Sequence, residues 1–139
     1  MGENMNRQDY LGKIKGCRSQ IEKCREDMER NNSTIANLEA LYSQVNARRE
    51  FAENHFTRKI QDYQKLCGAY SKRIMALASE LSSSAINNGD NSMAAYREIQ
   101  NRIECKIEEQ RERNQKLSVE IGVCEDKIAY YKRKMELLE

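Results

Sequence analysis

The chain has 139 residues, with 24 basic and 22 acidic side chains and a net charge of +2. A third of its residues are charged, 39% are hydrophobic, proline is absent and six glycines are thinly spread. That balance excludes a thick globular core and a basic nucleic-acid stripe, and it favours long helices that each bury a narrow face.

The two signs of charge interleave, as in Arg111-Glu112-Arg113, which reads as a solvated, salt-bridged helix surface with no nucleic-acid partner. No apolar run approaches the ~20 residues that span a bilayer, so no membrane insertion is expected. The opening Met1-Gly2-Glu3-Asn4-Met5-Asn6 lacks an apolar signal core, and Asn6 stands where a myristoylation pattern needs Ser or Thr. The expected location is the cytoplasm, with export in a complex, without a cleaved signal peptide, left open.

In chain order, residues 1–7 are polar and read as a frayed N-terminus. From residue 8 an apolar seam steps alternately by four and three through Tyr10, Ile14, Cys17, Ile21, Cys24, Met28, Asn31, Ile35, Leu38, Tyr42 and Val45. A repeat averaging about 3.5 residues keeps one face toward a partner helix, as in a coiled coil. This N-terminal helix, 8–30, either continues or breaks near Asn31-Asn32-Ser33-Thr34, where Asn32 or Ser33 is a capping residue for a new helix.

A long helix over 33–83 follows. Arg49 is a misfit on its seam, and a stutter precedes Ile60. Its further seam residues are Phe56, Ile60, Tyr63, Cys67, Tyr70, Ile74, Leu77 and Leu81. The run from Ser82 to Ser92 collects Ser, Asn, Gly and Asp, which predicts a loop at 84–91. A second long helix, 92–138, carries Ile103, Ile107, Gln110, Asn114, Leu117, Ile121, Cys124, Ile128, Tyr131, Met135 and Leu138 on its seam. The polar Asn31, Gln110 and Asn114 either set register or sit at a solvated edge.

The fold class is therefore all-α, a single domain built as an antiparallel helical hairpin or coiled coil of two to three long helices. The nearly equal segments 33–83 and 92–138 are expected to pair about the 84–91 loop, with facing residue numbers summing to about 174 at ~1.5 Å of rise per residue. The N-terminal stripe of Tyr10, Ile14, Ile21 and Met28 then lacks a mate, and it is the expected protein-interaction surface.

Chemistry is sparse. Of five cysteines, Cys17, Cys24, Cys67 and Cys124 lie on seams and should be buried thiols, leaving Cys105 as the reactive one. They lack the paired spacing of zinc ligands. His55 is the one histidine, in a charged helical stretch, and no nucleophile elbow, P-loop or dinucleotide fingerprint occurs. No catalytic, cofactor-binding or metal residues are assigned, no cofactor is expected, and the chain reads as non-enzymatic.

The stretch Tyr10-Leu11-Gly12-Lys13-Ile14-Lys15-Gly16-Cys17, the charged heptads after it and the closing helix from Tyr96 to Leu138 carry a resemblance. Together with the chain's size, they resemble the small helical proteins encoded beside LXG toxins of bacterial type VII secretion systems, relatives in design of the WXG-type helical hairpins. The chain departs from the latter in having no Trp, and so no WxG turn; Leu66-Cys67-Gly68 stands mid-chain inside a helical run. The Tyr-x-x-x-Asp/Glu export signal is also missing, since Tyr42, Tyr96 and Tyr130 are followed four residues on by Asn46, Gln100 and Lys134. The resemblance implies an adaptor or chaperone-like partner for a helical segment of a secreted toxin, or for a sister helical protein. The alternative is self-association as a dimer: a homo-oligomeric coiled-coil spacer or scaffold, including a stalk-like component of another export machine.

Overall fold

The computed structural model describes residues 5–67 and 72–138, with Leu66 and Cys67 described by their backbone alone. Two helices account for nearly all of this. Helix α1 (Arg7–Cys67) has 61 residues and α2 (Lys72–Glu136) has 65. They pack antiparallel as a helical hairpin, with no strand among the described residues, so the all-α hairpin read from the heptads is what the chain forms.

The start of α1 is tied down by its own side chains. The Asp9 N–H donates to Asn6 Oδ1 at 3.0 Å, and the Asn6 N–H donates back to Asp9 Oδ2 at 3.0 Å. This reciprocal pair satisfies two of the N–H groups that a helix start leaves without partners, and it puts the Asp9 charge at the positive end of the helix dipole. Residues 5–7 are thus the cap of α1. The remainder of the stretch read as frayed lies outside the described residues.

Two boundaries differ from the sequence reading. There is no break at Asn31–Ser33, because α1 runs through it. There is no loop at 84–91 either, because α2 runs through the whole Ser82–Ser92 cluster. The helices are instead separated by residues 68–71. Facing pairs therefore do not follow the expected rule near 174: Asn31 with Asn114, Asn46 with Gln100 and Phe56 with Gly89 each give residue numbers summing to about 145. The seam residues Cys67 and Tyr70 lie outside the described side chains.

The chain divides into two compact units, and each has its own interior. The terminal unit joins Met1–Asn37 to Ile107–Glu139. It buries Ile14, Ile21 and Cys24 of α1 with Ile107 and Cys124 of α2. The Tyr10 and Tyr131 rings meet across the helices with centroids 6.1 Å apart. One polar rung crosses this interior: Asn31 Nδ2 donates to Asn114 Oδ1 at 2.9 Å, and Asn114 Nδ2 donates to Asn32 Oδ1 at 2.8 Å. Nearer the ends of the chain, Gln20 Nε2 donates to Glu120 Oε1 at 2.5 Å.

The central unit, Leu38–Lys106, is built differently. Over residues 78–89 the inward positions of α2 are Ala78, Ser82, Ala85 and Gly89, all small and all buried, and the larger Gln100 and Ile103 are buried further along. A Cβ on Gly89 would lie 3.2 Å from Cγ and 3.3 Å from Cβ of Phe56, so the glycine is what lets the Phe56 ring reach the α2 backbone. The Ser-Ala-Gly composition that mimics a loop is a close-packing face. Local propensity disfavours Gly in a helix interior by about 1 kcal/mol, and here the helix-helix contact overrides it. A second polar rung lies deeper, where Gln100 Nε2 donates to Asn46 Oδ1 at 3.2 Å. Arg49, the misfit on the seam, donates from Nη2 to the same Asn46 oxygen at 3.0 Å, while its Nε is buried without a hydrogen-bond partner.

The glycines separate close approach from open space. Gly12 and Gly16 have nothing within 4 Å of a built Cβ. Gly16→Ala should therefore stabilise the chain by about 0.5–1 kcal/mol through helix propensity and a less flexible unfolded chain. Gly89→Leu should destabilise it by about 1–3 kcal/mol by driving side-chain carbons into Phe56. Urea denaturation followed by circular dichroism measures both; equal and small effects would mean that Gly89 is not a contact point.

Candidate helix-binding surface

Every side chain proposed from sequence as an interaction surface can be placed. Ile14 is 3% exposed and Ile21 is 7% exposed, both inside the terminal unit. Tyr10 is half-buried against Tyr131, and Met28 is half-buried on the same face. This stripe has found its mate within the chain, because α2 continues to Glu136 alongside it. It is core, and the expectation that it is a free partner surface is corrected on that ground. The helices pair about a centre some 15 residues earlier than a turn at 84–91 would set, so the start of α1 has no overhang.

The structure offers a different face. From Ile74 to Tyr96, α2 carries two charged residues, Glu80 and Asp90, in a chain that is one-third charged. The inward side of this stretch is taken by Ala78, Ser82, Ala85 and Gly89. Next to it, at steps of three and four, run Ile74, Leu77, Leu81, Ser84, Asn88, Ser92, Ala95 and Ile99. Leu77 is 56% exposed and Ile99 45%, and Ile74 and Leu81 are also open to solvent. Heptad spacing along one helix face is the geometry that receives another helix. Loss of charge with retention of large apolar side chains is the composition found at the centre of protein interfaces.

The sequence reading had placed Ile74, Leu77 and Leu81 on a seam, but on the wrong one. They follow the same heptad frame as Phe56, Ile60 and Tyr63, which suits an uninterrupted helix. With α2 beginning at Lys72 and packing antiparallel to α1, the inward phase on α2 lies one residue along, at Ala78, Ser82 and Ala85. The signal in the sequence for this face is the uncharged run itself, whose central part, 84–91, has the composition of a loop.

A thinner outward line lies in the terminal unit, where Val119, Val123, Tyr130 and Leu137 are exposed. Lys116, Asp126, Lys127 and Arg133 interleave with it, and Lys134 Nζ sits 5.6 Å from the Tyr130 ring centroid, so cations already cover part of it. The remaining hollows are shallow grooves along the helix pair. One of them is lined by Phe56, Ile60, Ile86, Gly89 and Met93, with Glu53 and Arg97 at its rim. Among the described residues no group of three His, Cys, Asp or Glu side chains is placed to hold a metal ion. The His55 ring lies edge-on to Phe56 at 5.6 Å. No helix is long and apolar enough to cross a membrane among the described residues.

The thiols separate by environment. Cys24 is 2% exposed and Cys124 is buried, Cys17 is half-buried and Cys105 is exposed. Burial pushes the Cys24 thiol above its ordinary value of 9.0, and the nearby Glu120 carboxylate, Cys124 and Asp27 push in the same direction. Gln20 Nε2 approaches its sulfur at 3.8 Å. A thiol held protonated in this way is a poor nucleophile.

Comparison of the chain with protein-family models, with curated proteins and with solved structures finds no match.

Two measurements follow from the thiols. Alkylation of the native protein, read by peptide mass spectrometry, should label Cys105 first, then Cys17, with Cys124 and Cys24 slowest; labelling of Cys24 ahead of Cys105 would contradict the assigned faces. Stability should also fall as pH rises past 9.0, the ordinary thiol value, toward the higher value Cys24 has in the fold. In that window the unfolded chain has released the Cys24 proton and the folded chain keeps it, so unfolding releases a proton and is favoured by alkali. Below the window the contribution is fully present. Cys24→Ala should flatten this part of the urea-midpoint profile against pH.

Proposed function

We propose that the chain is a non-catalytic helical binding module that acts by receiving another helix along the outer face of α2. The observation that carries this reading is the uncharged stripe of Ile74, Leu77, Leu81 and Ile99, exposed beside an inner face made of Ala, Ser and Gly. A hairpin standing alone would gain more by turning these large residues inward. Each of these residues is about half exposed and forgoes roughly half of the 1.5–3 kcal/mol that full burial of such a side chain supplies. The arrangement suits a helix covered on two sides.

In its specific form, the proposal is an adaptor or chaperone-like partner of a type VII-secreted LXG toxin, binding the toxin's helical N-terminal region. Its support is the likeness in size, in the Tyr10–Cys17 stretch and in the hairpin layout. The missing Tyr-x-x-x-Asp/Glu signal fits a chain that reaches an export machine only through another subunit. The alternative is a homo-oligomeric scaffold. One observation favours self-association, namely that large residues fill the N-terminal half of the stripe and small ones most of its C-terminal half, an order that an antiparallel second copy complements.

Co-expression with the helical N-terminal region of an LXG toxin encoded beside this chain tests the adaptor form. Wild-type protein should co-purify with that region in fixed stoichiometry. Leu77→Asp with Leu81→Asp should weaken capture by at least about a hundred-fold, since two anchors are lost from one face, while far-ultraviolet circular dichroism stays helical. Failure of the wild-type pair to co-purify removes the toxin-adaptor role.

A further inference from the structure

We infer that the occupant of the α2 stripe is the same stripe of a second copy, packed antiparallel about a two-fold axis near Ile86 and Asn87. This rests on reading the stripe as a helix-binding face and takes up the self-association alternative, so that a toxin helix and the second copy compete for one face; it names the partner, the direction and the register.

The argument begins with the order of side-chain sizes. The N-terminal half of the stripe holds the large residues Ile74, Leu77 and Leu81, while its C-terminal half holds Ser92 and Ala95 before closing on Ile99. A parallel copy in register would set leucines against leucines at one end and small residues against small residues at the other. An antiparallel copy, with facing residue numbers summing to about 173, sets Leu81 and Leu77 against small residues, closes each end with Ile74 against Ile99 and leaves Ser84 and Asn88 at its centre, so the large side chains enter the room the small ones leave. Leu81 then meets Ser92 of the second copy, Leu77 meets the region of Ala95, and Ile74 meets Ile99. The two-fold axis repeats each contact, so the surface is self-complementary, as a closed dimer demands.

Charge agrees with this direction. Arg73 flanks one end of the stripe and Glu98 the other, on the same side of the helix by their 25-residue separation. Antiparallel packing brings residues on the same flank together, so Arg73 of each copy lies within about a turn of Glu98 of its mate, twice per dimer. Glu98 already accepts from Arg102 Nη2 at 2.7 Å, and it then sits between two guanidinium groups. The only charges inside the stretch, Glu80 and Asp90, are both exposed and off the stripe, so no carboxylate has to be buried. A helix of foreign sequence has none of these constraints met in advance.

The resulting assembly places two α2 stretches side by side, each backed by its own α1. Small residues around α2 then make sense on both faces, because the Ala78–Gly89 side admits α1 closely and the Ser84–Ala95 side admits the second α2.

Sedimentation equilibrium of the full chain is the test. Wild type should run at twice the 16.3 kDa chain mass in micromolar solution. Leu77→Asp with Leu81→Asp should raise the dimer dissociation constant at least about a hundred-fold, with helicity kept. Arg73→Glu should weaken the dimer, and adding Glu98→Arg should restore it. In a Cys105→Ser background, Ile74→Cys with Ile99→Cys should form a disulfide between copies under mild oxidation, since the two positions lie too far apart along one helix to bridge within a chain. A monomeric wild type, a dimer indifferent to the Leu77 and Leu81 changes, or Ile74→Cys alone linking to itself would each overturn the proposal. If wild type is monomeric while those same changes abolish capture of a defined partner helix, the binding face stands and the second copy is not its occupant.

Discussion

The register of α1 against α2 is the constraint on which everything else in the hairpin depends. Heptad seams look alike from one repeat to the next, so apolar contacts alone allow the helices to slide by seven residues at modest loss. Polar rungs do not. Sliding would separate Asn114 from Asn31 and Asn32, and Gln100 from Asn46, leaving partly buried amides without partners. A fully buried orphan costs about 1–3 kcal/mol, a penalty that falls most on Gln100, which is buried, and less on the half-buried Asn31, Asn46 and Asn114. The terminal unit and the central unit each hold one rung, so each is fixed in its own right. The Gly89 contact with Phe56 obeys the same numbering rule, and it adds a steric check to the two polar ones.

Register in turn decides which residues of α2 are spent on folding. With the pairing as found, the inward positions of α2 over 78–89 go to Ala78, Ser82, Ala85 and Gly89, and Ile74, Leu77 and Leu81 are left largely outside. This is an inefficient way to stabilise an isolated hairpin and an efficient way to build a helix with two packing faces. The terminal unit shows the ordinary solution, with Ile14, Ile21 and Ile107 inside and a charged exterior. Exposed ion pairs such as Arg102 with Glu98 add little to either unit, because solvent screens them.

Much of this was legible in the sequence, and the misses share one cause. Heptad spacing gave the helices, the hairpin class and the inward set in the terminal unit, including Cys24 and Cys124. It also singled out Asn31 and Asn114, whose pairing is the register device. What spacing cannot locate is a reversal that falls inside an uninterrupted apolar pattern. Phe56 to Leu81 keeps one heptad frame straight across the point where the helices separate. The one cluster with loop composition, Ser82–Ser92, is helical because its small side chains face another helix. Gly and Ser carry two meanings, turn and close approach, and only the tertiary partner, here Phe56, chooses between them. The Asn6–Asp9 cap was readable in principle, since Asn followed three residues later by an acid is a helix-start pattern.

The expectation of a hairpin about residues 84–91 rested on the loop-like composition of that run and on the near-equal lengths of 33–83 and 92–138. Segments on either side of that run do complement one another: large apolar residues precede it and small ones follow at matching steps. Within one chain they cannot meet, because a continuous helix holds them apart. Between two chains they can, by antiparallel packing about the same centre. In the proposed dimer that complementarity is used between chains, and α2 packs α1 on one face and the second copy on the next. Substitutions on the Ala78–Gly89 face act on folding and those on the Ile74–Ile99 face act on association, a separation that follows from helical geometry alone. A binding module needs that independence: its contact face can change without disturbing the pairing that presents it.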